Sequence, residues 1–173
     1  MAFEYHSIDM EGRYEVWDGA QVLREPSSLP HESVLGQLHL ILQQFVNRHR
    51  TGRVFLSNAA VYAHGETGDY VMPDLTYVSN ERRHLLRPNG IFGAPDLIIE
   101  IVSPGLRNAT RDAVDKFRLY ERHGVREYWM VDYIERQIYM HGLADGKYEP
   151  IGRSDVLPGI ELPTETIFRD IDF

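Results

Sequence analysis

The sequence contains no cysteine. That absence excludes a disulfide scaffold, thiolate zinc and iron–sulfur sites and a cysteine nucleophile, and it accords with a reducing cytoplasm. Long apolar runs are missing too. Leu97-Ile98-Ile99 is cut by Glu100, and no stretch approaches the ~18 residues that span a bilayer. Met1 to Asp18 mixes Glu, Asp, His and aromatics, so no basic-then-apolar signal segment is expected there. A Gly-rich phosphate loop and a Gly-x-Ser-x-Gly elbow are absent, and His31-Glu32-Ser33-Val34 lacks the second histidine of a His-Glu-x-x-His helix. The eight histidines show no tight pairing of metal-ligand type. Cations are outnumbered, 18 Lys and Arg against 26 Asp and Glu, and a net charge of −8 argues against gripping nucleic acid by bulk charge. Internal repeats and low-complexity segments are not found.

What is present suits one ordinary globular domain over residues 1–173, with 43% hydrophobic and 25% charged residues. A chain of this size buries roughly 70% of its unfolded surface, enough for a core without staples. The expectation is a soluble, cytoplasmic protein. Its charge is uneven, however. Between Ser103 and Arg126, six cations face Asp112, Asp115 and Glu121, a local +3, and Arg82, Arg83 and Arg87 form a second basic cluster. A solvated helix face accounts for such a run as well as a ligand does.

Period-two runs at Tyr14–Trp17 and Gln21–Leu23 flank Asp18-Gly19 and predict a β-hairpin at about 14–24. Val34, Leu35, Leu38, Ile41, Leu42, Phe45 and Val46 recur at helical spacing, predicting an amphipathic helix from His31 to about Arg50. Strands are expected over Arg53–Ala63 and Tyr70–Val78, the latter holding Pro73-Asp74, a mark of a strand end, edge or bulge. Residues 80–95 read as irregular with one helical turn. Leu97–Val102 has the composition of a strand covered on both faces. Thr110 to His123 places Ala113, Val114, Phe117 and Tyr120 on one side of a second helix, which Gly124 ends. Strands follow at Glu127–Val131 and Ile138–His141, with a turn at Asp145-Gly146, and short segments of the tail cover the core. The fold class is α/β or α+β, a mixed sheet flanked by helices. Leu97–Val102, the second helix and Tyr128–Val131 have the proportions of a crossover unit.

Glu100 is the most informative residue. A carboxylate inside Leu-Ile-Ile-Glu-Ile-Val is costly to bury and must face a cation, a metal ion or an open cleft. Alternation puts Asp96 and Glu100 on one face of that strand. Pro-Asp-Leu occurs twice, at 73–75 and 95–97, and pairing of the Asp74 and Glu100 strands would bring two carboxylates together. Such a pair repels itself unless neutralised, and a hard divalent cation such as Mg²⁺ takes oxygen ligands. A turn-forming Asp74 and a structural salt bridge at Glu100 are the alternatives. Lys116 lies at the border of the second helix's buried face, from which an ammonium reaches over the strand ends, or else pairs with Asp112 one turn earlier. Glu32 is read first as suiting the dipole of a first helical turn, with a place in the same cleft as the alternative.

The string Tyr-Glu-Val-Trp-Asp-Gly, His31 opening a long helix, Val-Met-Pro-Asp at 71–74, Ala-Pro-Asp-Leu-Ile-Ile-Glu-Ile-Val-Ser-Pro at 94–104, Asp112-x-x-x-Lys116-x-x-x-Tyr120, and Gly124-Val125-x-Glu127-Tyr128-Trp129-x-Val131-Asp132 resembles the putative restriction endonuclease family of the PD-(D/E)xK nuclease superfamily. The resemblance runs from about Tyr14 to Tyr148. It implies a restriction-endonuclease-like core and a Mg²⁺-dependent site, with Mn²⁺ as a substitute, that cuts DNA and leaves 5′-phosphates. By that resemblance Asp74 and Glu100 are metal ligands, joined by the backbone carbonyl of Ile101, and Lys116 orients the attacking water. The superfamily lysine two residues after the acid falls at Val102, so Lys116 from the following helix takes its place. Glu32 is implied as an assisting carboxylate and Asp96 as an additional acid. Arg107, Arg111, Arg82 and Arg83, with Arg87, would meet the DNA backbone. A homodimer and a targeting partner protein are further expectations. Two other classes stand beside this one: a nuclease-fold module that no longer cuts, and a paired-carboxylate hydrolase acting on a non-phosphate substrate such as a glycan.

Overall fold

The computed structural model describes residues 13–17, 19–24, 26–63, 68–102 and 107–172. Strands β1 (Arg13–Trp17) and β2 (Ala20–Arg24) form the expected antiparallel hairpin, Trp17 opposite Ala20 and Gly19 at φ 76°. The hairpin is tied to the body by mutual backbone hydrogen bonds between Val16 and Tyr70, at 2.8 and 3.0 Å.

Helix α1 (Leu29–His49) starts where Ser28 accepts the His31 amide on its hydroxyl and Pro30 occupies the first turn. It ends at Arg50 in the left-handed region. Val34, Leu35, Leu38, Leu42 and Val46 form its buried stripe. Burial of each large apolar side chain contributes about 1.5–3 kcal/mol.

The expected strand over Arg53–Ala63 is two strands. After β3 (Gly52–Leu56) the chain turns at Ser57-Asn58, and β4 (Val61–Tyr62) joins a different sheet. The strand expected over Tyr70–Val78 is also shorter. Tyr70 and Val71 make only isolated bridges, Pro73 interrupts, and β5 spans Leu75–Ser79. A 3-10 turn at Arg83–Leu85 leads into β6 (Leu86–Arg87) and β7 (Gly90–Phe92). Then come β8 (Leu97–Val102), α2 (Arg107–His123), β9 (Glu127–Asp132), β10 (Gln137–Ala144), β11 (Lys147–Pro150) and α3 (Thr164–Ile167).

The main sheet has the order β11-β10-β9-β8-β5-β3, antiparallel except for the parallel β8·β9 pair that α2 connects. A second sheet, β4-β7-β6, lies beside it. Each face of the main sheet carries a core. On one face α1 and the tail residues Leu157, Ile167, Phe168 and Ile171 pack on Leu75, Leu97, Ile99 and Trp129. On the other, Tyr120 of α2 and Val61 and Ile91 of the small sheet pack with Val78, Ile98 and Tyr128. Val114, expected on the buried side of α2, is exposed, while Lys116 and Tyr120 turn inward.

Two local signals are realised in detail. Gly124 has φ 78° at the end of α2, with Gly124 N–H donating to Glu121 and Val125 N–H to Tyr120, a Schellman ending. Asp145-Gly146, both at positive φ, joins β10 to β11 as a two-residue hairpin turn. The tail is held by buried Glu127, whose carboxylate accepts from the Asp155 and Val156 amides, the Ser154 hydroxyl and the Trp129 indole at 2.7–3.1 Å.

Candidate active site

The antiparallel register of β5 and β8 pairs Leu75 with Ile99, which puts Asp74, just before β5, opposite Glu100. Both are buried, at 2% and 5% exposure, in a setting where an ordinary sheet would carry apolar side chains. The partners of the two acids explain why the sheet tolerates them. Asp74 Oδ2 accepts the Ile101 amide at 2.8 Å and lies 3.1 Å from His31 Nε2, while its Oδ1 accepts Arg24 Nη2 at 3.2 Å. Glu100 Oε1 accepts the Tyr120 hydroxyl at 2.6 Å and lies 3.1 Å from Lys116 Nζ. Lys116 also stands 3.8 Å from Glu15 Oε2, and Glu15 is itself buried, accepting the Met72 amide at 2.7 Å.

Four elements thus converge. The hairpin supplies Glu15 and Arg24, the first turn of α1 supplies His31, the β5·β8 pair supplies the two acids, and α2 supplies Lys116 and Tyr120. The last two are four residues apart and so share one face of the helix.

The electrostatics separate the acids. Burial alone would raise the Asp74 carboxyl, but the hydrogen bond and charge of His31, the Ile101 amide and Lys116 outweigh it and hold the group below its ordinary value. Burial pushes Glu100 up to about 7; Lys116 and the Tyr120 hydrogen bond oppose the rise, and the charges of Asp74 and Glu15 add to it. His31 is raised: burial would lower it, yet Asp74 wins. Burial next to Glu100 lifts the Tyr120 phenol well above its usual range.

Asp74, Glu100 and Lys116, singled out in the sequence, come together. Of the other expected positions, some lie at the margin of this cluster and some away from it. Glu32 is more than half exposed and approaches His31 Nδ1 at 3.6 Å, so the first turn of α1 presents His31, not Glu32, to Asp74. Asp96 lies just before β8, four residues and about 13 Å of extended chain from Glu100. There it accepts the Ser79 amide at 2.7 Å and Arg126 at 3.0 Å, a structural anchor at the far end of the sheet. Arg82 is engaged at that same end, donating to the Ala94 carbonyl at 2.8 Å with Nε 3.6 Å from Asp96. Arg83, exposed, lies in the adjacent 3-10 turn, away from Asp74. Ile101 meets Asp74 through its amide. The side chains of Arg107 and Arg111 fall outside the described residues.

Arg24, Glu15, His31 and Tyr120 were given no role by sequence reasoning. The i, i+4 spacing of Tyr120 from Lys116 and the place of His31 in a capped first turn were available signals. Arg24 and Glu15 reach the site only through the docking of the hairpin, which no local pattern encodes.

A central sheet that presents acids from two adjacent antiparallel strands, backed by a crossover helix, places the chain in the restriction-endonuclease-like class of folds. The family profile of Uma2, described as putative restriction endonuclease, matches residues 2–168, and the chain belongs to that family. A solved structure described as a putative nuclease belonging to DUF820 from Anabaena variabilis ATCC 29413 is similar with a TM-score of 0.71, covering 91% of this chain and 90% of that one. At 18% identity that likeness shows a common fold. No curated protein matches the chain. Among the described residues, no helix is long and apolar enough to cross a membrane.

Proposed function

We propose that the chain is a Mg²⁺-dependent endonuclease that hydrolyses DNA phosphodiester bonds and leaves 5′-phosphate ends. Family membership supports the nuclease class. The observation that carries the finer reading is the convergence of Asp74 and Glu100 from paired strands with Lys116 held 3.1 Å from Glu100.

Among the described residues, no group of three or more His, Asp or Glu stands at metal-ligand spacing. Mg²⁺ fits a sparser set. It keeps several waters and takes one or two carboxylates together with phosphate oxygens. Three buried carboxylates, Glu15, Asp74 and Glu100, lie against Lys116, Arg24 and His31, and Asp74 and Glu100 offer hard oxygen donors of the kind Mg²⁺ takes. Asp74 and Glu100 would hold the ion, with the Ile101 carbonyl as a backbone ligand. When bound, it supplies Lewis-acid activation of water and neutralises phosphate charge.

The chain's own groups do the rest. His31 and the Ile101 amide fix the Asp74 carboxylate in one orientation, as Tyr120 does for Glu100. Lys116, with three donors on a flexible stem, orients the attacking water and stabilises negative charge developing on the phosphate as the bond to the 3′ oxygen breaks. The position of Lys116 favours cleavage over a non-cutting module, since the helix supplies the cation that position 102 lacks.

The test is nicking of supercoiled plasmid with Mg²⁺ or Mn²⁺, using wild type, Asp74→Asn, Glu100→Gln and Lys116→Met. Nicks made only by wild type, abolished by chelator and sealed by DNA ligase, are expected. Nicking that persists in all three variants, or wild type that cuts no DNA, would overturn the proposal.

A further inference from the structure

Edge strand β3 and the β6–β7 hairpin enclose a groove of about 430 Å³, on the face of the main sheet that carries Glu100. Its lining includes Arg53, Arg87, Asn58 and Asn89, all exposed, with Phe55 as apolar surface over the buried Ile91, and no acidic residue among those described. In a chain of net charge −8, such a groove is a local attractor for anions.

Arg87 is held in place. Its guanidinium carbon lies 4.4 Å from the centre of the Phe92 ring, and Phe92 stacks on Tyr62 at 4.6 Å and 14°. The Tyr62 ring covers Gly90 so closely that a Cβ there would come within 2.8 Å of it, which pins the hairpin bearing Arg87. At its Asn58 end the groove lies next in sequence to a contact of Arg24. Asn58 follows Ser57, whose carbonyl accepts Arg24 Nη1 at 2.9 Å, and the same guanidinium reaches Asp74.

We propose that this groove binds an unpaired nucleotide of the DNA strand beside the scissile phosphate, so that the substrate has single-stranded character next to the cut. The arginines take its phosphate, and Phe55 and the asparagine amides take its base. A duplex presents its phosphates but keeps base faces stacked, and only an unstacked nucleotide uses both the cations and the apolar surface. The inference rests on the nuclease reading above and narrows its substrate.

Fluorescence anisotropy with a short labelled single-stranded oligonucleotide and its matching duplex tests it, with Ca²⁺ replacing Mg²⁺ to prevent cutting. Wild type is expected to prefer the single strand about tenfold, since base–aromatic stacking and amide contacts add to phosphate attraction. Arg53→Ala and Arg87→Ala should each weaken single-strand binding about fivefold and reduce its log–log salt slope by ~0.7, with duplex binding changed less than twofold. Asn89→Ala, in the hairpin loop, gives a second variant in which a folding defect is not expected, and thermal melts control for folding. Unchanged single-strand affinity in both arginine variants, or equal wild-type affinity for the two DNAs, would overturn the groove assignment. Failure of the nuclease reading is seen separately, as wild type that nicks neither DNA form.

Discussion

Replacing Lys116 by methionine nearly preserves the length of a buried side chain and removes the cation 3.1 Å from Glu100. The consequence depends on pH. In the native protein Glu100 is raised from 4.5 to about 7, chiefly by burial, with Lys116 the strongest opposing influence. A raised folded value means that stability is fully present below the unfolded value and is lost as pH rises through the folded one. The rise from 4.5 to about 7 corresponds to about 3 kcal/mol lost over that window, at about 1.4 kcal/mol per unit. Without Lys116 the folded value climbs further, so the loss continues above pH 7 where wild type has levelled off. Urea unfolding of wild type and Lys116→Met in chelator should show a modest gap near pH 6, widening by about 1 kcal/mol per unit from pH 7 to pH 8. A gap independent of pH would refute the reasoning, because it would mean that Lys116 does not hold Glu100 ionised.

Three other outcomes are expected. In an NMR titration the His31 ring should titrate above 6.5 in wild type, and in Asp74→Asn it should fall, because the strongest opposition to burial is gone and only Glu32 and Glu100 still raise it; no change would deny the Asp74 contact its role. Glu127→Ala removes the acceptor of four hydrogen bonds that anchor the tail, and should cost about 3 kcal/mol in urea unfolding with faster proteolysis of the segment after Ser154. Gly124→Ala forces a Cβ onto φ 78° and should cost about 1 kcal/mol, whereas a neutral result would mean that the end of α2 relaxes.

The hairpin, both helices, the covered strand Leu97–Val102 and the crossover were legible because each is written in local periodicity with its own stop signal, such as Gly124 or Asp145-Gly146. The repeated Pro-Asp-Leu and the misplaced carboxylate at Glu100 marked the two strands, while their pairing, Leu75 opposite Ile99, is written in no local pattern. What escaped depends on tertiary placement. Alternation groups Asp96 with Glu100 on one face, yet it carries no information on distance along the chain, and Asp96, just before β8, serves a different cluster. Helical position made Glu32 attractive, but its neighbour His31 is the residue turned toward Asp74. Residues Arg53–Ala63 alternate as one strand, although the turn at Ser57-Asn58 divides them between two sheets. Arg24 and Glu15 belong to the site only because Val16 bridges Tyr70 and docks the hairpin there.

The central claim is that Asp74 and Glu100 together hold a divalent cation, and calorimetric titration of Mg²⁺ and Mn²⁺ into wild type, Asp74→Ala and Glu100→Ala tests it most directly. Binding at one site in wild type, lost in both variants while their folded far-ultraviolet spectra persist, is the predicted result. Wild type that binds neither ion, or variants that bind as wild type does, would contradict it.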